Sequence, residues 1–178
     1  MICKTVKLGD ICKIINGSTP LRSRNDYWEE GTIPWFTIDD FREQGKNINY
    51  TNQKITKVAL KETSVRMLPK NTVLLCCTAS VGVSAIARVE MATNQQFNGL
   101  IPNTEKLLPE FLYYISTTLT QELIKLSGSA TINFVAISKL KEIKISLPSI
   151  SEQQHIVTNL NTVFDVIDSK IDFIKNTK

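Results

Sequence analysis

The sequence predicts an α+β protein: a globular body with a curved mixed or antiparallel sheet and flanking helices, followed by one long carboxyl-terminal helix. Three observations carry this. Short apolar segments of strand length, Val73 to Thr78 and Val83 to Arg88, follow one another without an intervening helix, so strands and helices do not alternate as a parallel βαβ sheet would require. Pro109 opens a pattern in which Phe111, Leu112, Ile115, Leu119, Leu123 and Leu126 share one helical face. From Ser151 onward, apolar residues recur at Ile156, Leu160, Val163, Ile167, Ile171 and Ile174, in steps of three or four. A chain of 178 residues, 42% of them hydrophobic, suits one domain over residues 1–146 and an appended element over 147–178.

In chain order, Leu8 to Ile15 starts a short helix or strand that breaks at Asn16-Gly17-Ser18-Thr19-Pro20, a loop by composition. Arg22 and Arg24 flank it, placed either to grip phosphate or simply to be solvated. Gly31 to Ile38 reads as an edge strand containing Pro34, ended by Asp39 and Asp40. Those two acids suggest turn capping, because no further acid or histidine stands at a spacing that completes a metal site. Lys54 to Ser64 is weakly helical. Leu68 to Thr72 is a turn that launches the strand from Val73, and Ala79-Ser80-Val81-Gly82 is the next turn. Thr93 to Pro102 is a polar corner followed by a third strand.

The amides Asn94, Gln95, Gln96 and Asn98 are unusual in such a corner, since each must find partners if buried. They suit either the reading of adenine edges or the bracing of the sheet. Ser127 to Asn133 is a small polar loop suited to close backbone approach, by phosphate or by another segment. A turn from Ala136 to Leu140 and a strand from Glu142 to Ser146 lead to Pro148 and the terminal helix. Ser149 with Glu152, or Ser151 with Gln154, has the three-residue spacing of a helix-capping pair. Val157, Phe164, Val166 and Phe173 widen the apolar stripe beyond what a solvated helix carries, so this face is expected to meet a partner.

Charge is unevenly placed. Residues 1–146 hold 18 Lys or Arg against 13 Asp or Glu, whereas residues 147–178 hold 3 against 4. The basic body permits contact with a phosphate backbone. The longest apolar run, Val73 to Cys77, is far short of a membrane span, and Met1 to Lys7 has no signal-peptide character, so a cytoplasmic protein is expected. Cys3, Cys12, Cys76 and Cys77 form no C-x-x-C pair and read as thiols rather than metal ligands. His155 has no evident nucleophile beside it, and neither a P-loop nor a G-x-G-x-x-G run occurs. Glu142-Ile143-Lys144 has the acid-x-lysine form of a nuclease triplet, which the strand pattern explains without chemistry. No catalytic residue and no metal ligand is therefore expected: the residues describe a binding protein.

With these pieces laid out, the chain resembles the specificity subunits of type I restriction–modification systems. The resemblance rests on Leu8-Gly9-Asp10, Gly17-Ser18-Thr19-Pro20, Tyr27-Trp28, Gly31 with Ile33-Pro34-Trp35, Ala79-Ser80-Val81-Gly82, Thr93-Asn94-Gln95-Gln96-Phe97, and Leu147-Pro148 followed by Glu152-Gln153 and Ile156. The family often has a second proline where Ser149 stands and a glycine where Asn71 stands; Asn tolerates the same left-handed backbone. The resemblance implies a target-recognition domain and a spacer helix. It also implies two such units reading a split DNA target, with spacers packed antiparallel and no catalysis in the subunit itself. Partner methyltransferase subunits would use S-adenosylmethionine, and partner restriction subunits, which translocate DNA, would use ATP with Mg2+.

On this reading the chain is one half of such a subunit. Two copies are expected to pair through Ile156, Leu160, Val163, Phe164, Ile167, Ile171 and Ile174. Arg22, Arg24 and Lys46 are the candidates for phosphate contact, and Ser18, Thr19, Ser80, Gln95, Gln96, Ser129 and Asn133 lie in polar loops able to approach the grooves. Two rival readings stand beside it: a protein-interaction scaffold whose basic body only solubilises it, and the metal-dependent nuclease just mentioned.

Overall fold

The computed structural model describes residues 4–78, 80–127 and 135–176. Leu8–Ile11 forms one helical turn (α1), and the chain then straightens into β2 (Cys12–Asn16); a preceding strand, β1 (Lys4–Lys7), pairs antiparallel with β10 (Lys144–Leu147). The main sheet has five strands in the order β2, β9 (Phe97–Pro102), β6 (Val73–Cys76), β7 (Ser84–Ala87) and β4 (Asn47–Ile48). Its pairings are antiparallel except β4 with β7, so the sheet is mixed. A smaller sheet orders β5 (Lys54–Ile55), β3 (Ile33–Phe36) and β8 (Ala92–Thr93). The α+β class expected from the sequence is present, and of the two sheet types it left open, mixed or antiparallel, the sheet is mixed.

Two expectations about single elements need correcting. The strand read from Gly31 to Ile38 stops at Phe36, and Ile38–Gln44 is a helix (α2). Thr37 and Asp40 cap it: the Asp40 carboxylate, fully buried, accepts the Thr37 N–H at 2.7 Å and the Asn52 N–H, also at 2.7 Å. The apolar run Trp35-Phe36 conceals that start; of the acid pair only Asp40 caps, at the helix and not at a turn, while Asp39 ion-pairs with Arg42 at 2.7 Å. The helix opened by Pro109 is also two helices, α4 (Pro109–Thr118) and α5 (Thr120–Ser127). At the break, Thr117 and Thr118 turn their hydroxyls back onto the carbonyls of Tyr114 and Ile115 at 2.7 and 2.8 Å, which competes with the helical ladder.

Between Lys54 and Ser64 the chain splits into β5 and a short helix, α3 (Lys57–Glu62), capped by Thr56. Asn71 takes φ 68°, the left-handed backbone that lets it serve where a glycine would. The sheet buries both faces. Leu8, Ile14, Val73, Leu75, Leu100, Leu112 and Leu123 pack on one side under α4, α5 and α6 (Ile137–Glu142), and Phe36, Leu68, Leu74, Met91 and Phe97 pack on the other.

The chain leaves this body through α7 (Ile150–Asn176), 27 residues that at roughly 1.5 Å each make a rod of about 40 Å. Of the two possible capping pairs, Ser149 with Glu152 forms: Ser149 N–H donates to the Glu152 carboxylate at 2.9 Å, and Glu152 N–H to Ser149 Oγ at 3.3 Å. Those bonds hold the Glu152 carboxyl below its ordinary pKa. Val157 and Gln153 are buried in the body and Leu160 packs against it; past Phe164, residues 165–171, 173 and 174 are all exposed.

Candidate nucleic-acid interface

The antiparallel register brings several loops to one end of the main sheet. Asn16, the last residue of β2, pairs with Asn98; Cys76, the last of β6, pairs with Phe97; and β7 begins at Ser84 opposite Leu75. The connections 17–20, 77–83 and 94–96 therefore emerge together. Gly17 N–H donates to Phe97 O at 3.0 Å and Ser18 N–H to Thr93 O at 2.8 Å, so the Gly-Ser-Thr loop lies against the amide corner. A Cβ on Gly17 would sit 1.9 Å from Asn94 O, which is why only glycine fits there.

The sequence candidates divide on this surface. Thr19 donates its hydroxyl to Gln95 Oε1, and Ser18 shares a 2.7 Å bond with Ser64. Gln95 is exposed, whereas Asn94 and Gln96 brace the corner from within: Asn94 Nδ2 donates to Gln96 Oε1 at 3.1 Å and Gln96 N–H to Asn94 Oδ1 at 3.0 Å. Of the two roles open to the amides, bracing belongs to this pair. Gln95 is left facing outward. Ser80 is half-buried in the 77–83 loop, where its carbonyl accepts Val83 N–H. Ser129 and Asn133 lie outside the described residues; Val135, just after them, donates to Cys77 O at 3.1 Å at this same end. Asn98, 1% exposed, lies beside the Cys77 thiol, which burial pushes up to about 12 against the opposing pull of the Asn98 amide.

The three basic candidates differ sharply. Arg22 stacks its guanidinium 3.7 Å from the centroid of the Trp28 ring and 4.7 Å from that of Trp35, and donates to Gln53 Oε1 at 2.7 Å. Among the described residues no carboxylate pairs with it, and partial burial lowers its pKa. Arg24 is instead gripped by Asp26 through two bonds of 2.8 and 2.5 Å, with Glu62 at 3.5 Å, and these raise its pKa while lowering that of Asp26. Lys46 does not join the loop group: its ammonium bonds Tyr114 Oη and Asn161 Oδ1, each at 3.0 Å, on α4 and α7.

Sequence reasoning on the candidates missed the platform under Arg22. Trp28 and Trp35 meet edge to face at 5.0 Å, Trp35 Nε1 donates to Ser18 O at 3.1 Å, and Trp28 Nε1 to Leu21 O at 3.2 Å. The signal was present, since both tryptophans stand in segments that carried the resemblance, but their meeting depends on the small sheet. Arg66 was also overlooked; exposed, it bonds the carbonyls of Thr63 and Val65, beside Ser64.

Elsewhere, Glu142 ion-pairs with Lys7 at 2.6 Å and Ile143 is buried, so the acid-x-lysine triplet is not assembled as a site. Among the described residues, no group of three or more His, Cys, Asp or Glu side chains is placed to hold a metal ion, and no helix is long and apolar enough to cross a membrane. His155 is exposed and bonds Asn159 at 3.2 Å.

Comparison with known proteins agrees with this architecture. The family described as the type I restriction modification DNA specificity domain matches residues 3–176. The chain is 38% identical to the type I restriction enzyme MjaIX specificity subunit of Methanocaldococcus jannaschii over 92% of its own length and 38% of that protein's. It superposes with TM-score 0.73 and 25% identity on a chain from a structure described as the basis of complex assembly and conformational transition in the type I R-M system, covering 93% of this chain and 39% of that one. The HsdS subunit from Thermoanaerobacter tengcongensis matches with TM-score 0.69 and 24% identity, over 93% of this chain and 38% of its own. This chain thus spans about two fifths of the relatives it matches, and it belongs to the type I restriction modification DNA specificity domain family.

Proposed function

We propose that residues 1–146 form a target-recognition domain that reads duplex DNA with the loop end of the main sheet, and that residues 147–178 form a spacer joining it to a second copy. The observation that carries this reading is the exposed apolar stripe on a helix that has already left its own core. Val163, Ile167, Ile171 and Ile174 are 42–61% exposed; nearer the body, Ile156 and Phe164 are 37% and 46% exposed while Leu160 packs against the core. A single globule has no reason to keep such a face in water. A two-fold pairing of α7 as a coiled coil would bury it, and the rod's length of about 40 Å approximates the 34–36 Å turn that separates half-sites of paired readers. The target would then be bipartite.

On this reading Arg22 contacts phosphate with its uncompensated charge. Ser18, Thr19, Ser80 and Gln95 approach the grooves while Gln96 braces the corner behind them, Ser129 and Asn133 stay groove candidates by sequence alone, and Arg24 and Lys46 contribute less because partners within the chain already hold them. The subunit is non-catalytic and cytoplasmic. Methylation of adenine with S-adenosylmethionine, and translocation and cleavage with ATP and Mg2+, belong to methyltransferase and restriction subunits assembled on it.

The test is binding of the purified chain to duplexes with a randomised core, over a range of salt. Enrichment of a split motif, with affinity falling steeply as salt rises, supports the reading. Shallow salt dependence with no enriched sequence favours the interaction scaffold, and DNA cut by the isolated chain in magnesium favours the nuclease.

A further inference from the structure

Where α7 parts from the body, three segments far apart in sequence converge on one ammonium group. Lys46, between α2 and β4, bonds Tyr114 Oη on α4 and Asn161 Oδ1 on α7, and Tyr114 Oη itself donates to Asn161 Oδ1 at 2.5 Å. The same ammonium lies 4.4 and 5.0 Å from the ring centroids of Tyr114 and Tyr113. Phe164, one turn beyond Asn161, stacks on Tyr114 at 5.8 Å with 9° between the planes. Two acceptors and two ring faces compensate a partly desolvated charge, a costly arrangement to keep at a surface unless it holds something in place.

Its position says what is held. Asn161 and Phe164 hold α7 against the body where the helix emerges from it, and residues 165–171, 173 and 174 beyond them are exposed. From Asn161 to Asn176 the helix projects about 22 Å at roughly 1.5 Å per residue. A tilt of about 10° at this point moves the tip by about 4 Å, more than the roughly 3.4 Å that each base pair advances along the DNA axis. A rod that measures base pairs therefore needs its angle fixed here.

We propose that Lys46, Tyr114 and Asn161 form a positioning clasp that sets the angle between body and spacer helix, and thereby the number of base pairs between the two recognised segments. The link to DNA spacing rests on the spacer reading above; the clasp itself does not. Glu110, Arg88, Asp165 and Asp168 also face this cleft, so the charged background is mixed and the contact depends on geometry more than on net charge.

Two measurements test it. In a Cys3→Ser background, spin labels at Lys61→Cys and Lys170→Cys, diluted with unlabelled chain, report the body-to-rod distance. Lys46→Met and Asn161→Leu should at least double the width of that distribution at an unchanged mean melting temperature of the body, whereas Lys46→Arg, which keeps charge and donors, stays narrow. Duplexes selected from a randomised pool by Lys46→Met should carry the same half-sites as the wild type but with gaps spread over two or three adjacent lengths. A distribution as narrow as wild type in both Lys46→Met and Asn161→Leu overturns the clasp whatever the DNA result. Broadened distances with an unchanged single gap overturn its role in spacing. Failure of the wild type to enrich any half-site counts against the spacer reading alone, and the clasp is then decided by the distances.

Discussion

Gln153 on α7 accepts the backbone N–H of Leu108 at 2.9 Å, and its Nε2 donates to Lys106 O at 2.8 Å and Pro148 O at 2.9 Å. One fully buried amide thus ties the loop before α4 to the start of the spacer. Gln153→Ala leaves those backbone groups without partners, and each buried orphan costs about 1–3 kcal/mol. Thermal unfolding should show a loss of that order or more. Gln153→Glu keeps the acceptor but turns an anion toward two carbonyl oxygens, which raises that carboxyl's pKa in the folded state; its stability should be greater at pH 5 than at pH 8.

Gly17 stands where the Gly-Ser-Thr loop crosses the amide corner. Gly17→Ala pushes a methyl group into Asn94 O, an overpacking that costs about 1–3 kcal/mol. Melting temperature and duplex affinity should fall together, because the displaced segments are those that carry Thr19 and Gln95. Retained affinity in Gly17→Ala would remove this loop from the interface.

Arg22 and Arg24 are two residues apart but not equivalent. Arg22→Ala should weaken binding to all duplexes and reduce the salt slope by about 1. Arg24→Ala should change both less, since Asp26 and Glu62 already offset its charge. Fluorescence anisotropy on a random-sequence duplex, repeated across salt, checks the ordering; equal and negligible effects would remove both residues from the phosphate contact.

The pairing of α7 is tested at residues the body does not use. Ile167→Asp with Ile171→Asp places two charges on the exposed stripe. If α7 pairs as proposed, sedimentation should report a dimer for the wild type and a monomer for this variant, with the body's unfolding transition unchanged. Leu160→Asp would disturb both, because Leu160 packs against the core.

Burial raises the thiols of Cys12 and Cys77 to about 12. In a Cys3→Ser background at pH 8, the native protein should therefore react with a thiol reagent orders of magnitude more slowly than the protein unfolded in guanidinium. Fast reaction of the native state would show that these strands open.

Much of this protein was legible along the chain, and the residues show why. The spacer helix announced itself through the steps from Ile156 to Ile174, and its cap through Ser149 and Glu152, because helical periodicity and capping act over three or four residues. The α+β class followed from the order of the strands, whereas the parallel pairing of β4 with β7 that makes the sheet mixed came from tertiary packing. What escaped was either masked by local competition or made at a distance. The helix begun by Thr37 and Asp40 hid behind Trp35-Phe36, and the break at Leu119 hid inside an apolar face that continues across it. Only the tertiary structure stacked Arg22 on Trp28, gave Arg24 to Asp26 and Glu62, and turned Lys46 from a free cation into the partner of Asn161, 115 residues away. The sequence by itself determined which residues are available for contact, since local periodicity and charge are written in neighbouring positions. Which of those charges remain unspent was decided by strand register and helix packing, because an ion pair or a stacked ring depends on distances in space that sequence separation does not encode.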